Sequence, residues 1–122
     1  MLVLHHAHAP HQQVQGIRTL QATGPAFGIS AFDIRLVELE AGACLPLDQH
    51  AGQLAAVVLS GQGKLLLDSG PQRFAAPCSL FIPPHAPYQI NNNASTTLQL
   101  VMVCSRVEWP VATAPMAPSG DD

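Results

Sequence analysis

Charge is scarce in this sequence. Only 11% of its 122 residues are Asp, Glu, Lys or Arg, and the formal net charge is −3. The five cations, Arg18, Arg35, Lys64, Arg73 and Arg106, are scattered along the chain. No basic patch is therefore available to neutralise phosphates, and neither nucleic acid nor an anionic membrane surface is an expected partner. No apolar run approaches the roughly 20 residues that a membrane-spanning helix needs. The start, Met1 to Leu4, is too short for a signal-peptide core and lacks a basic leader, so the expected location is the cytoplasm. Cysteine is sparse as well. Cys44, Cys78 and Cys104 lie far apart, are odd in number and form no C-x-x-C, a pattern of buried free thiols in a reducing compartment. No long window carries a helical period, and no segment repeats.

What is present is apolar and punctuated. Hydrophobic residues make up 48% of the chain, enough for one modest core in one domain. A surface so poor in charge leans on Gln, Asn, Ser and Thr, or is partly apolar and covered by a partner subunit. Residues 1–15 form a His-rich arm containing His5, His6, His8 and His11. Residues 107–122, with three prolines, several alanines and a terminal Ser-Gly-Asp-Asp, read as a loose tail that Trp109 can pin at its beginning. Between them, residues 16–106 alternate short apolar runs with Gly, Pro, Asn and Ser clusters. Strands are expected at 31–40, 54–59, 64–67, 72–75, 79–82, 88–91 and 97–104. Many short strands at this spacing specify an all-β sandwich or barrel.

Two stretches carry a family resemblance. Residues 42–63 read GACLPLDQHAGQLAAVVLSGQG, and residues 77–92 read PCSLFIPPHAPYQINN. These resemble the first and second motifs of the cupins. In the first, Gly42 opens the motif, Asp48-Gln49-His50 stands at the His-x-His place, Leu54 falls where the family has Glu, and Gly61 closes it. In the second, Pro83-Pro84-His85 fills the turn, Tyr88 stands where the family has His, and Asn92 matches the Asn. The resemblance covers about 31–105. It implies a jelly-roll β-barrel, the double-stranded β-helix of the cupin type, around one pocket. It also implies a divalent metal (Mn, Fe, Ni or Zn), for which the matching positions offer Asp48, His50 and Tyr88. Leu54 supplies no ligand, so Gln53, a water or the substrate would have to complete the set.

The same three residues suit chemistry without a metal. Alternate residues of a strand share a face, so Asp48 and His50 can both point inward. His50 would then be the base, oriented by Asp48, with Tyr88 donating to a developing oxyanion. Such a group fits isomerisation, epimerisation or elimination on a small carbonyl or sugar-like compound. The expected activities are those of an isomerase, lyase or dioxygenase. Two alternatives stand beside them: a ligand-binding or regulatory module without chemistry, and a structural homodimer with a vestigial site. The expected partners are a small-molecule ligand and a second copy of the chain.

Four further residues or clusters bear on the site. The histidines of the arm read as a flexible segment with incidental metal affinity. His85 is expected at the barrel rim. Asp33 and Arg35 alternate with Phe32, Ile34 and Leu36, so one of the two faces must meet the pocket or a partner. Arg35 is expected outside as a surface charge, although inside it would anchor a carboxylate or phosphate. Cys44 shares parity with Asp48 and His50 and is a candidate to line the pocket.

Overall fold

The structure, a computed structural model, describes residues 4–23, 28 and 31–105. The tail at 107–122, Trp109 included, lies outside the described residues. In chain order the strands are β1 (His11–Val14), β2 (Ile17–Gln21), β3 (Phe32–Leu39), β4 (Asp48–Gln49), β5 (Leu54–Ser60), β6 (Gln62–Leu67), β7 (Gly70–Ala75), β8 (Cys78–Ile82), β9 (Pro87–Asn91) and β10 (Leu98–Ser105). They form two antiparallel sheets, ordered β1-β2-β3-β10-β5-β8 and β4-β9-β6-β7. From β5 onward the chain repeatedly crosses between the sheets, which is the winding of a jelly roll. Among the described residues, no helix is long and apolar enough to cross a membrane.

The core follows from period-two alternation. In β5, Leu54, Ala56 and Val58 are buried; in β10, Leu98, Leu100 and Met102 are buried. Val37 and Leu39 of β3, Leu80 and Ile82 of β8, Leu65 of β6, and Tyr88 and Ile90 of β9 join them in one cluster. Each Val, Leu, Ile or Met among them contributes about 1.5–3 kcal/mol when fully withdrawn from water. A one-residue slip of any strand would turn its apolar set outward, so this alternation fixes the register.

Two glycines set turns that the strands require. The β1–β2 hairpin closes through Gln15 (φ 52) and Gly16 (φ 81), both left-handed, the form of two-residue turn that matches strand twist. Its strands pair from His11↔Leu20 to Val14↔Ile17, so sheet pairing extends into the His-rich arm. Gly61 (φ 93) turns β5 into β6 against β10, and a Cβ there would lie 2.7 Å from the Thr97 carbonyl oxygen. Just before this turn, the pairing of β5 with β10 shifts register between Gln99 and Leu100, which leaves Leu59 as an extra residue.

Asn92 clasps the far end of the barrel. Its Nδ2 donates to the carbonyls of Leu39, Glu40 and Thr96, and its Oδ1 accepts the Ala94 N–H. The Asn of the second motif is thus a scaffold residue here.

Candidate functional site

The opposite end of the barrel is open. A cavity of about 430 Å³ lies between β3, β9 and β10, beneath the segment Leu45–His50. Its apolar wall comes from Val37, Leu45 and Met102, and its polar wall from Asp33, Arg35, Asp48, His50 and Tyr88. All three residues singled out by the motifs therefore reach one cavity. Register explains two of them, because Asp48 of β4 lies directly opposite Tyr88 of β9. Tyr88 is 5% exposed, and its Oη donates a long hydrogen bond of 3.4 Å to Asp48 Oδ2. Burial raises the Tyr88 pKa well above the ordinary phenol value. The Asp48 charge adds to the rise, and the Arg35 charge opposes it. The phenol is thus held as a hydrogen-bond donor.

His50 is held differently. One ring nitrogen, Nε2, lies 2.9 Å from the Ser105 carbonyl oxygen. A carbonyl can only accept, so Nε2 carries the proton, and Nδ1 of the neutral ring is the proton acceptor. Ser105 also takes the Gln53 N–H on its Oγ, which joins the end of β10 to the start of β5. The proline turn packs against the same segment. His85 N–H donates to the His50 carbonyl at 2.7 Å, and Gln49 Nε2 donates to the His85 carbonyl at 2.6 Å. His85, with φ 65, is exposed and does not line the cavity, so it shapes the rim through its backbone.

Two expectations are corrected. Arg35 is not an outward surface charge: with Asp33 it lines the cavity, although its side chain stays open to solvent. The parity of β3 is inverted relative to the simple rule, with Asp33 and Arg35 toward the cavity mouth and Phe32, Ile34, Leu36 and Glu38 on the other face. Cys44 does not line the cavity either; it is exposed and bridges to Asn91. The thiol that does line it is Cys104, on the inward parity of β10 with Leu98, Leu100 and Met102. Burial raises its pKa, with Arg35 opposing and Asp33 and Asp48 reinforcing. Parity along the sequence singled out Cys44 and not Cys104; the alternation of β10, in which Cys104 keeps step with Leu98, Leu100 and Met102, was the signal available for it. Thr19 and Gln49, also in the wall, carried none.

The side chains fit a metal ion poorly. His50 spends Nε2 on a backbone carbonyl, Tyr88 stays protonated and donates to Asp48, and Leu54 is buried in the core. A phenol with a raised pKa is a weak ligand, because metal binding needs the phenolate. Among the described residues, no group of three or more His, Cys, Asp or Glu side chains is arranged to hold an ion. That includes His5, His6, His8 and His11, of which His6–His8 form an exposed 3₁₀ turn.

A two-sheet jelly roll with an open end and a polar-walled cavity defines a class of small barrel proteins built around one internal pocket. The family model of the cupin domain matches residues 35–104, and the chain belongs to the cupin family. No curated protein sequence matches it significantly. Among solved structures, it resembles the polyketide cyclase RemF from Streptomyces resistomycificus, with a TM-score of 0.76 and 19% identity, covering 86% of this chain and 79% of that one. A predicted oxalate decarboxylase from Thermotoga maritima aligns with a TM-score of 0.75 at 16% identity, over 87% of this chain and 100% of that one. A sugar phosphate isomerase of the cupin superfamily from Silicibacter pomeroyi aligns with a TM-score of 0.66 at 27% identity. That alignment covers 75% of this chain and 60% of the isomerase.

Proposed function

We propose that this cupin is a metal-independent acid–base isomerase or epimerase acting on a small polar hydroxy-carbonyl compound. The observation that carries the proposal is the convergence of a protonated phenol, a carboxylate and a tautomer-fixed imidazole on one small cavity. His50 Nδ1 takes a proton from the carbon beside the carbonyl and returns it to the same or the neighbouring carbon. Tyr88 Oη donates to the carbonyl oxygen as negative charge develops there, exchanging its long bond to Asp48 for one to the substrate. Arg35 is the one cation in the wall among the described residues, and it holds an anionic or hydroxyl-rich end of the substrate at the mouth. The likeness to a sugar phosphate isomerase at 27% identity supports this class of substrate. Of the expected activities, the acid–base branch suits these side chains better than a dioxygenase that depends on a metal.

A second reading, a pocket that binds without reacting, is favoured by the internal bonds of the site. Both the Tyr88 hydroxyl and His50 Nε2 already have protein partners.

One experiment separates the two. Small hydroxyaldehydes, hydroxyketones and sugar phosphates are incubated with the protein in D₂O, and exchange of the proton beside the carbonyl is followed by NMR. Exchange that is lost in His50→Gln, which keeps a donor for the Ser105 carbonyl, supports catalysis. Saturable binding without exchange supports the binding reading. Exchange that persists unchanged in His50→Gln removes His50 as the base.

A further inference from the structure

The reaction cavity does not end at Arg35. A second cavity of about 290 Å³ adjoins it, lined by Pro10, His11, Gln12, Thr19, Gln21 and Arg35. Thr19 and Arg35 belong to both walls, so the two cavities meet there. The added half is built by the β1–β2 hairpin, whose first strand begins at His11 in the His-rich arm. The hairpin supplies the last two strands on this side of the six-stranded sheet, beside β3. Register carries the inward face of β3 onto them. Arg35 lies opposite Gln21, Val37 opposite Thr19, and Thr19 opposite Gln12. That face changes character along its length. Beside the hairpin turn it is apolar, with Val14 opposite Ile17, and Ile17 packs on the core. Toward the open end it is Gln12, Thr19 and Gln21. A face that only covered the core would stay apolar there.

The polar groups of this second cavity are poised for a ligand. Among the described residues, the side chains of Arg35, Gln12 and Thr19 make no hydrogen bond or ion pair. The Gln21 amide nitrogen donates to the Thr23 carbonyl at 2.7 Å and to Asp33 Oδ1 at 3.4 Å, which leaves its Oε1 as an acceptor. His11 Nδ1 donates to the Ala9 carbonyl at 3.0 Å, which fixes the ring in the wall. A guanidinium, an amide and a hydroxyl thus stand as donors on three adjacent strands. Such a set surrounds a group with several acceptor oxygens, and the guanidinium makes the charge-assisted bonds. Charge directs that group to the hairpin side of Arg35. Asp33 and Asp48 line the reaction cavity, and an anion beside Tyr88 would meet the Asp48 carboxylate at close range. No acidic side chain among the described residues lines the second cavity.

We propose that the β1–β2 hairpin builds a phosphate subsite, which selects sugar phosphates long enough to place phosphate and carbonyl at the two ends of the groove. This subsite, which rests on the acid–base reading of the reaction cavity, adds the remote group of the substrate. The phosphate sits between Arg35, Thr19 and Gln12. Gln21 Oε1 accepts a hydroxyl of the chain, and the carbonyl end reaches Tyr88 and His50. From β10 through β3 and β2 to β1 the groove crosses three strand spacings, roughly 14 Å. A three-carbon phosphate is too short to occupy both ends, whereas a five- or six-carbon chain is long enough. Binding at the remote phosphate then holds the reacting end in place.

The test is binding to the full chain, followed by NMR of the backbone amides at constant ionic strength. The probes are D-ribose 5-phosphate, D-ribose and D-glyceraldehyde 3-phosphate. D-ribose 5-phosphate should bind about 10-fold or more tighter than either of the others, the gain expected from hydrogen bonds to a charged group. It should shift the amides of Gln12, Thr19, Gln21 and Arg35. Arg35→Gln removes the cation, and Gln12→Glu sets a like charge against the phosphate; each should abolish the preference. Both positions are exposed, so folding is preserved, and far-UV circular dichroism checks that directly. Equal binding of D-ribose and D-ribose 5-phosphate, or binding of neither, overturns the subsite. A preference that survives both substitutions, or amide shifts centred on Arg73 instead, also overturns it. Equal binding of D-glyceraldehyde 3-phosphate overturns the selection for length. The subsite and the isomerase fail separately. D-ribose 5-phosphate bound at the hairpin, with no exchange of the proton beside its carbonyl in D₂O, supports the subsite and counts against the isomerase. Exchange on an unphosphorylated hydroxyaldehyde, with no preference for the phosphate, does the reverse.

Discussion

Two adjacent asparagines, Asn91 and Asn92, are expected to respond very differently to alanine. The Asn92 side chain is 1% exposed. It donates to the carbonyls of Leu39 at 3.0 Å, Glu40 at 3.1 Å and Thr96 at 2.8 Å, and it accepts the Ala94 N–H at 3.0 Å. Its backbone separately exchanges bonds of 2.9 Å with Gly42 and Ala43. Alanine keeps the backbone bonds and deletes the four side-chain contacts, taking these partners from the Leu39 and Thr96 carbonyls and the Ala94 N–H, while the Glu40 carbonyl still accepts the Ala43 N–H. Each buried polar group left without a partner costs about 1–3 kcal/mol. The turn from Asn93 to Thr97 is largely solvent-facing, so water recovers part of that cost. The expected loss for Asn92→Ala is therefore about 2–4 kcal/mol, a fall in Tm of roughly 8–15 °C for a chain of this size. Asn91 Oδ1, in contrast, is buried with no hydrogen-bond partner. Removing an unpaired polar atom relieves a desolvation cost, so Asn91→Ala should lie within about 0.5 kcal/mol of wild type. Urea unfolding followed by far-UV circular dichroism compares the three proteins. A loss below about 1 kcal/mol for Asn92→Ala, or equal losses for both variants, would refute the reasoning.

Tyr88 is the only tyrosine in the chain, so tyrosinate absorbance reports it alone. Burial, with the Asp48 charge next, raises its pKa above the ordinary value, so the native state holds this proton more tightly than the unfolded chain. The resulting stability is complete below about pH 10 and falls as pH rises beyond it. Tyrosinate should therefore emerge together with loss of circular dichroism, and the alkaline fall in stability should flatten in Tyr88→Phe. Tyrosinate in a still-folded protein near pH 10 would contradict this. Elemental analysis of untagged protein with His5, His6 and His8 changed to Asn should give far less than one metal ion per chain. Substitution serves better than truncating residues 1–15, because His11–Val14 is strand β1. A stoichiometric ion that is lost in His50→Ala would overturn the poor fit of Asp48, His50 and Tyr88 to a metal.

Most of the fold was legible because it rests on local rules. Apolar runs of 4–8 residues between turn clusters mark strands whatever their partners, and β3 and β5 to β10 fall where the runs predicted. Strand β1 could not be read this way. All four of its residues are exposed, so it has no alternation, and Gln15-Gly16 is a weaker hairpin signal than Asn-Gly. The family motifs brought Asp48, His50 and Tyr88 forward, and all three reach the cavity because the spacing between motifs is itself a register.

Sequence by itself determined seven of the ten strands among the described residues, the jelly-roll class, the cupin family and the missing Glu at Leu54. It did not determine which face of a strand points inward. Parity says only that Asp33 and Arg35 lie opposite Phe32, Ile34 and Leu36, and ordinary solvation would send the charges outward. The tertiary structure decided otherwise, because Val37 and Leu39 of the same strand must reach the core. Their parity carries Asp33 and Arg35 to the cavity mouth and leaves the even-numbered residues outside. The same constraint placed Cys104 rather than Cys44 in the wall. Position along a strand is a local property, but its direction is set by the whole sheet, and only assembly of the sheet fixes it.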